Sequence, residues 1–340
     1  MKAVVLVGGQ GTRLRPLTET LKKELLPLVD RPILHHALDR LVRHGVEEVV
    51  LSSSYLEEAF RPFIDERRGS PSISWITEPE PLDTAGAIFN ALDQMGGEAF
   101  FAMNGDIVTD LDLSEMLAFH RGSDATATIA LEDVEDARDF GLVRTAPDGR
   151  VLEFREKPRE PVSGMINAGT YLLEPAACDG YARDTPISIE KTVFPELIAS
   201  GRPVFGFRSN AYWMDLGTPE KYRQAQFDAL DGKLEGLHYP APYVGPGAEV
   251  HLRSHLGRWV VLGAGVHVEA EAQVDESVVL PGARVGAGAR ILASILGPNA
   301  QVGEGATVVS SIVGESASVI AGASIENARV PSFTEARTPD

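Results

Sequence analysis

The C-terminal third of the chain repeats every 17 residues, and this spacing restricts the fold more than any other feature. β-branched residues recur in sets: Val268, Val274 and Val278, then Val285, Ile291 and Ile295, then Val302, Val308 and Ile312, then Val319 and Ile325. Inward-facing β-branched residues at this period, with small residues at the corners, predict a solenoid with one β-helix rung per coil. A β-sandwich and a helical repeat are the alternatives. The lack of 3.6-residue spacing and the abundance of Gly and Ala favour the β-helix.

Residues 1 to about 230 follow a different pattern, in which short apolar strands alternate with amphipathic helices. The pattern predicts strands at 3–7, 72–77 and 99–106, and helices at 32–45, around 57–65 and at 84–95. Such alternation is typical of a mostly parallel sheet covered by helices, with ligands at the carboxyl ends of the strands. Residues 8–13 and 104–106 fall at such ends. Residues 125–175 predict an antiparallel insertion that covers or widens the pocket, and two further helices follow, at 188–201 and 218–232.

Composition excludes several classes of protein. The net charge of −18 comes without a Lys/Arg run, which argues against a nucleic-acid partner. No apolar run approaches the roughly 18 residues of a membrane span, and the first apolar run predicts a strand rather than a signal peptide. The single cysteine, Cys178, suits a reducing cytoplasm and has no neighbouring base that would make it a nucleophile. We therefore expect a cytoplasmic protein without a membrane partner.

The stretch "LVGGQGTRLRPLT", residues 6–18, follows the first predicted strand. Glycines allow backbone N–H groups to approach phosphate closely, and the Arg13 guanidinium offers a planar fork to phosphate oxygens. Lys22 and Lys23 follow within ten residues and can reach the same phosphates. A simple tight bend is the alternative interpretation of the glycines, and this stretch lacks both the Lys-Ser/Thr ending of a P-loop and the dinucleotide fingerprint.

Further motifs follow in order: "KELLPLVDRPIL", "EPEPLDTAGAI", "NGD", "EKP", "INAGTYLL" and "YWMDLGTPEKY". Together with "GGQGTRLRPLT" they resemble the sugar-1-phosphate nucleotidylyltransferase (nucleoside-diphosphate-sugar pyrophosphorylase) family over the first 230 residues. An appended left-handed β-helix is common in that family. The resemblance implies an α/β fold: a Rossmann-like nucleotidyltransferase domain with a mixed, mostly parallel sheet, then a left-handed parallel β-helix of hexapeptide-type repeats. It implies transfer of a nucleoside monophosphate from a nucleoside triphosphate to a sugar-1-phosphate, with release of pyrophosphate.

The same resemblance assigns roles to matching positions. Arg13 and Lys23 are implied as catalytic, and Asp106 and Asp215 as ligands of Mg²⁺, although each aspartate alone could be a turn residue. The implied nucleotide-binding residues are Gly8, Gly9, Gly11, Thr12, Glu78, Asp83, Thr84, Asn104 and Gly105. The implied sugar-phosphate-binding residues are Glu156, Lys157, Asn167 and Gly169.

One residue departs from the family pattern: Asp83 stands where the family usually has Gly, which could alter base choice or weaken catalysis. The resemblance gives two conflicting cues to the substrates. "VLVGGQGTRLRPLT", "TEPEPLDTAGAI" and the β-helix resemble members that use GTP with mannose-1-phosphate, our first choice, whereas "KELLPLVDRPI" resembles members that use UTP or dTTP with glucose-1-phosphate, the alternative. A non-catalytic nucleotide-sugar-binding regulator is a further alternative, supported only by Asp83. Acyl transfer by the solenoid is the last alternative. It is disfavoured because the solenoid is short and its histidines, His251, His255 and His267, cluster at its start near the linker.

These patterns predict four segments: a catalytic domain at 1–231, a Gly/Pro-rich linker at 232–245, a β-helix at 246–330 and a tail at 331–340. We expect the solenoid to pack on the first domain and to support a homo-oligomer, because its open end and flat faces favour a partner.

Overall fold

The computed structural model describes residues 1–53, 57–67, 69–78 and 80–338. Pro79 of the motif at 78–88 and the last two residues of the predicted tail lie outside the described residues. Contacts divide the chain into two compact units. The first unit comprises Met1–Gly9 and His36–Trp213, and the second comprises Gln10–His35 and Met214–Asp340.

The helices lie close to the predicted positions, except that the helix at Leu113–Gly122 was not predicted. They are α1 (Ile33–Arg43), α2 (Glu57–Glu66), α3 (Asp83–Asn90), α4 (Leu92–Met95), α5 (Leu113–Gly122), α6 (Phe194–Ala199) and α7 (Pro219–Leu230). The segment predicted as one helix at 84–95 is divided into α3 and α4, and a π-helical turn, Ile189–Val193, precedes α6. Thr218 caps α7 and Pro219 is its first residue, as the Thr-Pro pair predicts.

Thirteen strands precede the solenoid among the described residues. They are β1 (Lys2–Leu6), β2 (Pro27–Leu28), β3 (Arg31–Pro32), β4 (Glu48–Ser53), β5 (Ser72–Thr77), β6 (Phe100–Asn104), β7 (Ile107–Thr109), β8 (Ala127–Val134), β9 (Gly141–Thr145), β10 (Val151–Glu156), β11 (Gly164–Leu173), β12 (Val204–Arg208) and β13 (Trp213–Asp215).

The first unit is built on a nine-stranded mixed sheet. Its main path runs β10-β9-β11-β6-β1-β4-β5, and β8 joins β11 to β12. The pairs formed by β1 with β4 and β6, and by β4 with β5, are parallel, whereas β11 is antiparallel to β6. The predicted insertion therefore extends the central sheet through β11. Its strands continue the buried core, which includes Val4, Ala102 and Tyr171.

The second unit contains a regular parallel solenoid. Its strands are β14 (Tyr243–Val244), β15 (Glu249–Val250), β16 (His255–Leu256), β17 (Val260–Leu262), β18 (His267–Val268), β19 (Gln273–Asp275), β20 (Ser277–Val279), β21 (Arg284–Val285), β22 (Arg290–Leu292), β23 (Ile295–Leu296), β24 (Gln301–Val302), β25 (Thr307–Val309), β26 (Ile312–Val313), β27 (Ser318–Val319), β28 (Ser324–Glu326), β29 (Arg329–Val330) and β30 (Glu335–Ala336). They form three parallel sheets, and each strand pairs with the strand three positions further along the chain, as β14 does with β17 and β17 with β20. This arrangement agrees with the predicted left-handed parallel β-helix.

The structure corrects one part of the predicted solenoid register. The interior cluster contains Val279, Leu296 and Val313, whereas the predicted inward residues Val278, Ile295 and Ile312 are buried on the opposite face of the same strands. Successive side chains of a strand point to opposite faces, so only one of two adjacent apolar residues enters the interior. The outward row is buried because α7 packs near it: a cavity of about 360 Å³ is lined by Pro219 and Arg223 together with Ile295 and Ile312.

Within the described part of the chain, no helix is both long and apolar enough to cross a lipid bilayer.

Candidate active site

In the first unit, two glycine-containing turns lie at the same edge of the sheet. β1 and β6 are parallel neighbours with Leu6 paired to Asn104, and Gly105 N–H donates to the Leu6 carbonyl over 2.9 Å. Gly8 and Gly9 directly follow β1, and Asp106 follows β6. The carboxyl-end placement predicted for the residues at 8–9 and 104–106 is therefore present, as expected for a ligand-binding edge of an α/β sheet.

Gly169 allows an unusually close approach of two segments at this edge. Its φ is +69°, and a Cβ atom there would lie 2.4 Å from Ile107 Cδ1 and 2.7 Å from Asn104 Nδ2. Its N–H donates to Asn167 Oδ1 over 2.9 Å. The structure thus brings together three residues predicted to bind the two substrates: Asn104, Asn167 and Gly169.

A hydrogen-bond network connects Asn167 to the start of α3. Asn167 Nδ2 donates to the Tyr171 hydroxyl over 2.8 Å, and that hydroxyl lies 3.5 Å from Glu190 Oε1. Thr84 Oγ1 donates to Glu190 Oε2 over 2.7 Å and accepts from Ile189 N–H over 2.8 Å. Glu190 therefore organises two predicted binding positions, and it was absent from the sequence-based assignment. The one local feature that points to Glu190 is Ser188, two positions earlier, whose hydroxyl donates to the Glu190 carboxylate over 2.8 Å.

Asp83 occupies a left-handed backbone conformation. Its φ is +58°, and its Oδ1 accepts a hydrogen bond from Thr84 N–H over 2.9 Å. Glycine adopts this conformation freely, and Asp tolerates it better than most residues because its short side chain bonds locally. The departure from the family pattern thus keeps the backbone conformation that favours Gly and adds an exposed carboxylate.

Glu78 is buried, and both of its carboxylate oxygens accept hydrogen bonds. Ser52 Oγ donates to Oε1 over 2.9 Å, and Leu82 N–H donates to Oε2 over 3.0 Å. Glu78 therefore connects the end of β4 to the turn that begins α3, and positions the segment that carries Asp83 and Thr84.

The predicted sugar-phosphate pair differs in environment. Burial, followed by the charge of Glu190, raises the pKa of Glu156, while the neighbouring Lys157 ammonium, 3.9 Å away, acts in the opposite direction. Lys157 is exposed at the end of β10. An exposed ammonium beside a half-buried carboxyl group suits a ligand that has both a phosphate and hydroxyl groups.

In the second unit, Arg13 and Asp215 meet beside Gly217. A Cβ atom at Gly217 would lie 2.7 Å from Arg13 Nη2, 3.0 Å from Asp215 Oδ2 and 3.2 Å from Asp215 Oδ1. Only glycine leaves this space open for the two charged groups. Lys221, in the first turn of α7, places its Nζ 3.8 Å from Asp215 Oδ2 and was missed by the sequence assignment.

Lys23 belongs to the same group and is buried, with 8% of its surface exposed. Burial lowers its pKa, and the charges of Glu24 and Asp215 raise it while that of Arg13 lowers it. Glu24 is itself fully buried, which raises the pKa of its carboxyl group to about 7. The structure therefore brings together Arg13 on the 3-10 turn Thr12–Leu14, Lys23 on the 3-10 turn Lys23–Leu25, and Asp215 at the end of β13.

Each unit carries one of the two aspartates that the sequence predicts as metal ligands. Asp106 in the first unit and Asp215 in the second are each half-buried, and each offers carboxylate oxygens, the ligand type that Mg²⁺ prefers. Among residues 1–53, 57–67, 69–78 and 80–338, no three His, Cys, Asp or Glu side chains form a metal-binding group. A cation held by few carboxylates and completed by substrate phosphates is the usual arrangement for magnesium.

The family models of two known domains match nearly the whole chain. Residues 2–232 match the nucleotidyl transferase family, and residues 239–337 match the GMPPB C-terminal domain. The chain belongs to the nucleotidyl transferase family. It is a nucleotidyltransferase, and members of this family use a divalent metal ion.

Two curated relatives carry the same name. The chain is 37% identical to the mannose-1-phosphate guanylyltransferase of Mycobacterium tuberculosis, over 83% of this chain and 80% of that protein. It is 34% identical to mannose-1-phosphate guanylyltransferase 1 of Arabidopsis thaliana, over 84% and 82% of the two chains. Among solved structures it resembles HddC from Yersinia pseudotuberculosis, with a TM-score of 0.59, 29% identity and coverage of 66% of this chain and 97% of that one. A second HddC structure is a complex with GMP-PN.

Proposed function

We propose that this nucleotidyltransferase transfers GMP from GTP to mannose-1-phosphate, forming GDP-mannose and releasing pyrophosphate. The guanylyltransferase relatives support this choice of base and sugar over UTP or dTTP with glucose-1-phosphate. The observation that carries the chemistry is that Arg13 and Asp215 meet beside Gly217, with the buried Lys23 close enough for its pKa to be affected by both.

In the proposed reaction, a phosphate oxygen of the sugar-1-phosphate attacks the α-phosphorus in line. The new P–O bond forms as the bond to the pyrophosphate oxygen breaks, and pyrophosphate leaves with the electron pair. No general base is needed, because the attacking phosphate is already ionised. The protein has to position two anions and neutralise their charge, which is the part we assign to the Arg13 guanidinium and the Lys23 ammonium.

We assign the remaining residues by their predicted roles. Glu78 keeps its predicted place in the nucleotide-binding set, and it acts there by holding the turn before α3, since Ser52 and Leu82 donate to its two oxygens. Lys157 receives the sugar phosphate, and Glu156, Asn167 and Gly169 receive the sugar. The proposed nucleotide-binding residues are Gly8, Gly9, Gly11, Thr12, Asp83, Thr84, Asn104 and Gly105.

We assign the metal ion as Mg²⁺, held by Asp106 and Asp215. When bound, Mg²⁺ would neutralise phosphate charge in the transition state. In the protein itself, Asp215 also faces Lys23 and Lys221, so its carboxylate supports two cationic side chains.

The direct test crosses GTP, UTP, dTTP, ATP and CTP with several sugar-1-phosphates and measures pyrophosphate release in the presence of Mg²⁺. We expect the highest kcat/KM with GTP and mannose-1-phosphate. Release with no pair would contradict the enzymatic assignment and favour a regulatory nucleotide-sugar-binding protein. A higher kcat/KM with UTP or dTTP and glucose-1-phosphate would contradict the substrate assignment alone.

Asp106→Asn tests the metal assignment. We expect Mg²⁺-dependent turnover to be lost while the Tm and circular dichroism stay those of the parent protein. Asp179→Asn, at an exposed position directly after the 3-10 turn Pro175–Cys178, is the matched control and should keep its turnover. Near-normal turnover of Asp106→Asn would overturn the assignment.

We also propose the domain limits 1–231, 232–245, 246–330 and 331–340, a cytoplasmic location and self-association through the solenoid. Size-exclusion chromatography with light scattering measures the mass of the protein in solution and so tests self-association.

A further inference from the structure

The outward row of one solenoid face changes character at its end. The register aligns Val261, Val278, Ile295, Ile312 and Arg329 on consecutive parallel strands of one sheet. The four apolar members are buried, with exposures from 0% to 7%, whereas Arg329 is exposed. In these five aligned positions the first four residues are aliphatic, and the fifth, in the last coil, is the cation Arg329.

This arginine contacts the turn that carries Arg13. Arg329 Nη1 donates to the Arg13 carbonyl over 2.9 Å and to the Arg15 carbonyl over 2.8 Å. Ser332 N–H, three residues further along the last coil, donates to Glu19 Oε2 over 2.9 Å. The last coil thus contacts both the middle and the end of residues 11–19, which we call the signature turn. All of these residues belong to the second unit.

The contacts of Arg329 supply hydrogen-bond donors to carbonyl groups at the end of a short helical turn. Residues Thr12–Leu14 form a single 3-10 turn, and Arg15 N–H donates to the Thr12 carbonyl at its end. The last carbonyl groups of a short helix have no helical donors, and a cation near that end is favourable. Arg329 supplies both the donor and the charge from a distant part of the chain.

The main chain and the side chain of Arg13 have different partners. Arg329 holds the Arg13 carbonyl, while the Arg13 guanidinium points toward Gly217 and Asp215. A fixed main chain reduces the freedom of the side chain, and small errors in placement lower the rate of a reaction that depends on positioning.

We propose that Arg329 is a positioning residue: the last coil of the solenoid holds the signature turn so that Arg13 is placed for the triphosphate. This inference rests on the proposed function of Arg13. It gives the solenoid a direct part in the reaction, in addition to packing or self-association.

The first experiment measures hydrogen exchange of the full-length protein, which needs no activity. Arg329→Gln should accelerate exchange of the amides at residues 12–19. Arg337→Gln is the matched control, because Arg337 lies next to the last strand of the solenoid and pairs with Glu335. Glu19→Ala, which removes the second contact without altering the solenoid, should accelerate exchange at the same amides to a smaller extent. Unchanged exchange at these amides in both Arg329→Gln and Glu19→Ala would overturn the proposal. If Arg329→Gln failed to fold, unchanged exchange in Glu19→Ala would by itself overturn it.

The second experiment is kinetic. Arg329→Gln should lower kcat/KM for the triphosphate about tenfold, which corresponds to about 1.4 kcal/mol, while KM for the sugar-1-phosphate stays within about twofold. Arg329→Lys should recover part of the loss, because an ammonium retains the charge and can donate to a carbonyl group. Kinetics of Arg329→Gln equal to those of Arg337→Gln would refute the positioning role even if exchange increased. An inactive parent protein with accelerated exchange in Arg329→Gln would refute the proposed function and leave the contact established.

Discussion

The close approach at Gly169 leads to a quantitative prediction for Gly169→Ala. The substitution forces an alanine into a left-handed conformation, at φ +69°, which costs about 1–2 kcal/mol. The new Cβ would also lie 2.4 Å from Ile107 Cδ1 and 2.7 Å from Asn104 Nδ2, far inside normal contact. Overpacking of this kind adds about 1–3 kcal/mol. We therefore expect a loss of about 2–5 kcal/mol in the free energy of unfolding of the first unit.

Gly201→Ala separates the two contributions. Gly201 has a similar φ of +75°, and nothing lies within 4 Å of its Cβ position. It should lose only the conformational part, about 1–2 kcal/mol. Urea denaturation followed by tryptophan fluorescence measures both variants. For activity, we expect Gly201→Ala to retain its kcat/KM, and Gly169→Ala to lose about tenfold or more because Asn104 must move.

A compensating substitution tests the clash itself. Ile107→Val removes the methyl group that the new Cβ would meet first, and alone should cost about 0.5–1.5 kcal/mol. The double variant, Gly169→Ala with Ile107→Val, should then be more stable than the sum of the single losses implies. Strict additivity, or a Gly169→Ala loss equal to that of Gly201→Ala, would refute the reasoning.

Three further predictions follow from single positions. Gly217→Ala should change the Tm little, because the side chain of Arg13 can shift, but should lower kcat about tenfold or more; a stopped assay with saturating substrates checks this, and an unchanged kcat would refute it. Asp83→Ala should destabilise the protein by about 1 kcal/mol relative to Asp83→Gly, because only glycine adopts a φ of +58° freely; urea titration of the two variants measures the difference, and equal stability would contradict it. Burial raises the pKa of the Cys178 thiol to about 12. Alkylation by iodoacetamide at about pH 8 should therefore be about a thousandfold slower than for a free thiol, and it should accelerate as the pH rises. Mass spectrometry measures the rate, and fast labelling of the folded protein would contradict the burial.

The regular elements were predictable because their signals are local. Alternation of apolar runs and caps predicted β5 with the observed bounds, and predicted α7 from its Thr-Pro start. The 17-residue period predicted the solenoid because each coil repeats the same contacts with its neighbours. The register of Val278 was wrong because its strand carries apolar residues on both faces. Which face enters the interior depends on α7, which covers the other face.

The candidate site was predictable only in part, for a related reason. Arg13, Lys23 and Asp215 stand in motifs with recognisable spacing, and the structure brings these three together. Glu190 and Arg329 have no such signal, because Glu190 bonds to Thr84, 106 positions away, and Arg329 bonds to the Arg13 carbonyl, 316 positions away. Contacts of that range follow from the tertiary fold and leave little trace in local patterning.

Two buried lysines, Lys22 and Lys23, stand out against the negative charge of the whole chain. A chain with a net charge of −18 repels polyanions at a distance, yet it buries Lys22 and Lys23 beside Glu24. Burial lowers the pKa of Lys22 to about 8 and also lowers that of Lys23, while carboxylates beside each lysine act in the opposite direction. Asp215 is one of those neighbours of Lys23. Its removal should therefore lower the pKa of Lys23 further, and part of the activity lost in Asp215→Asn should return at lower pH, which favours the charged form of Lys23. A loss independent of pH would assign Asp215 to the metal ion alone.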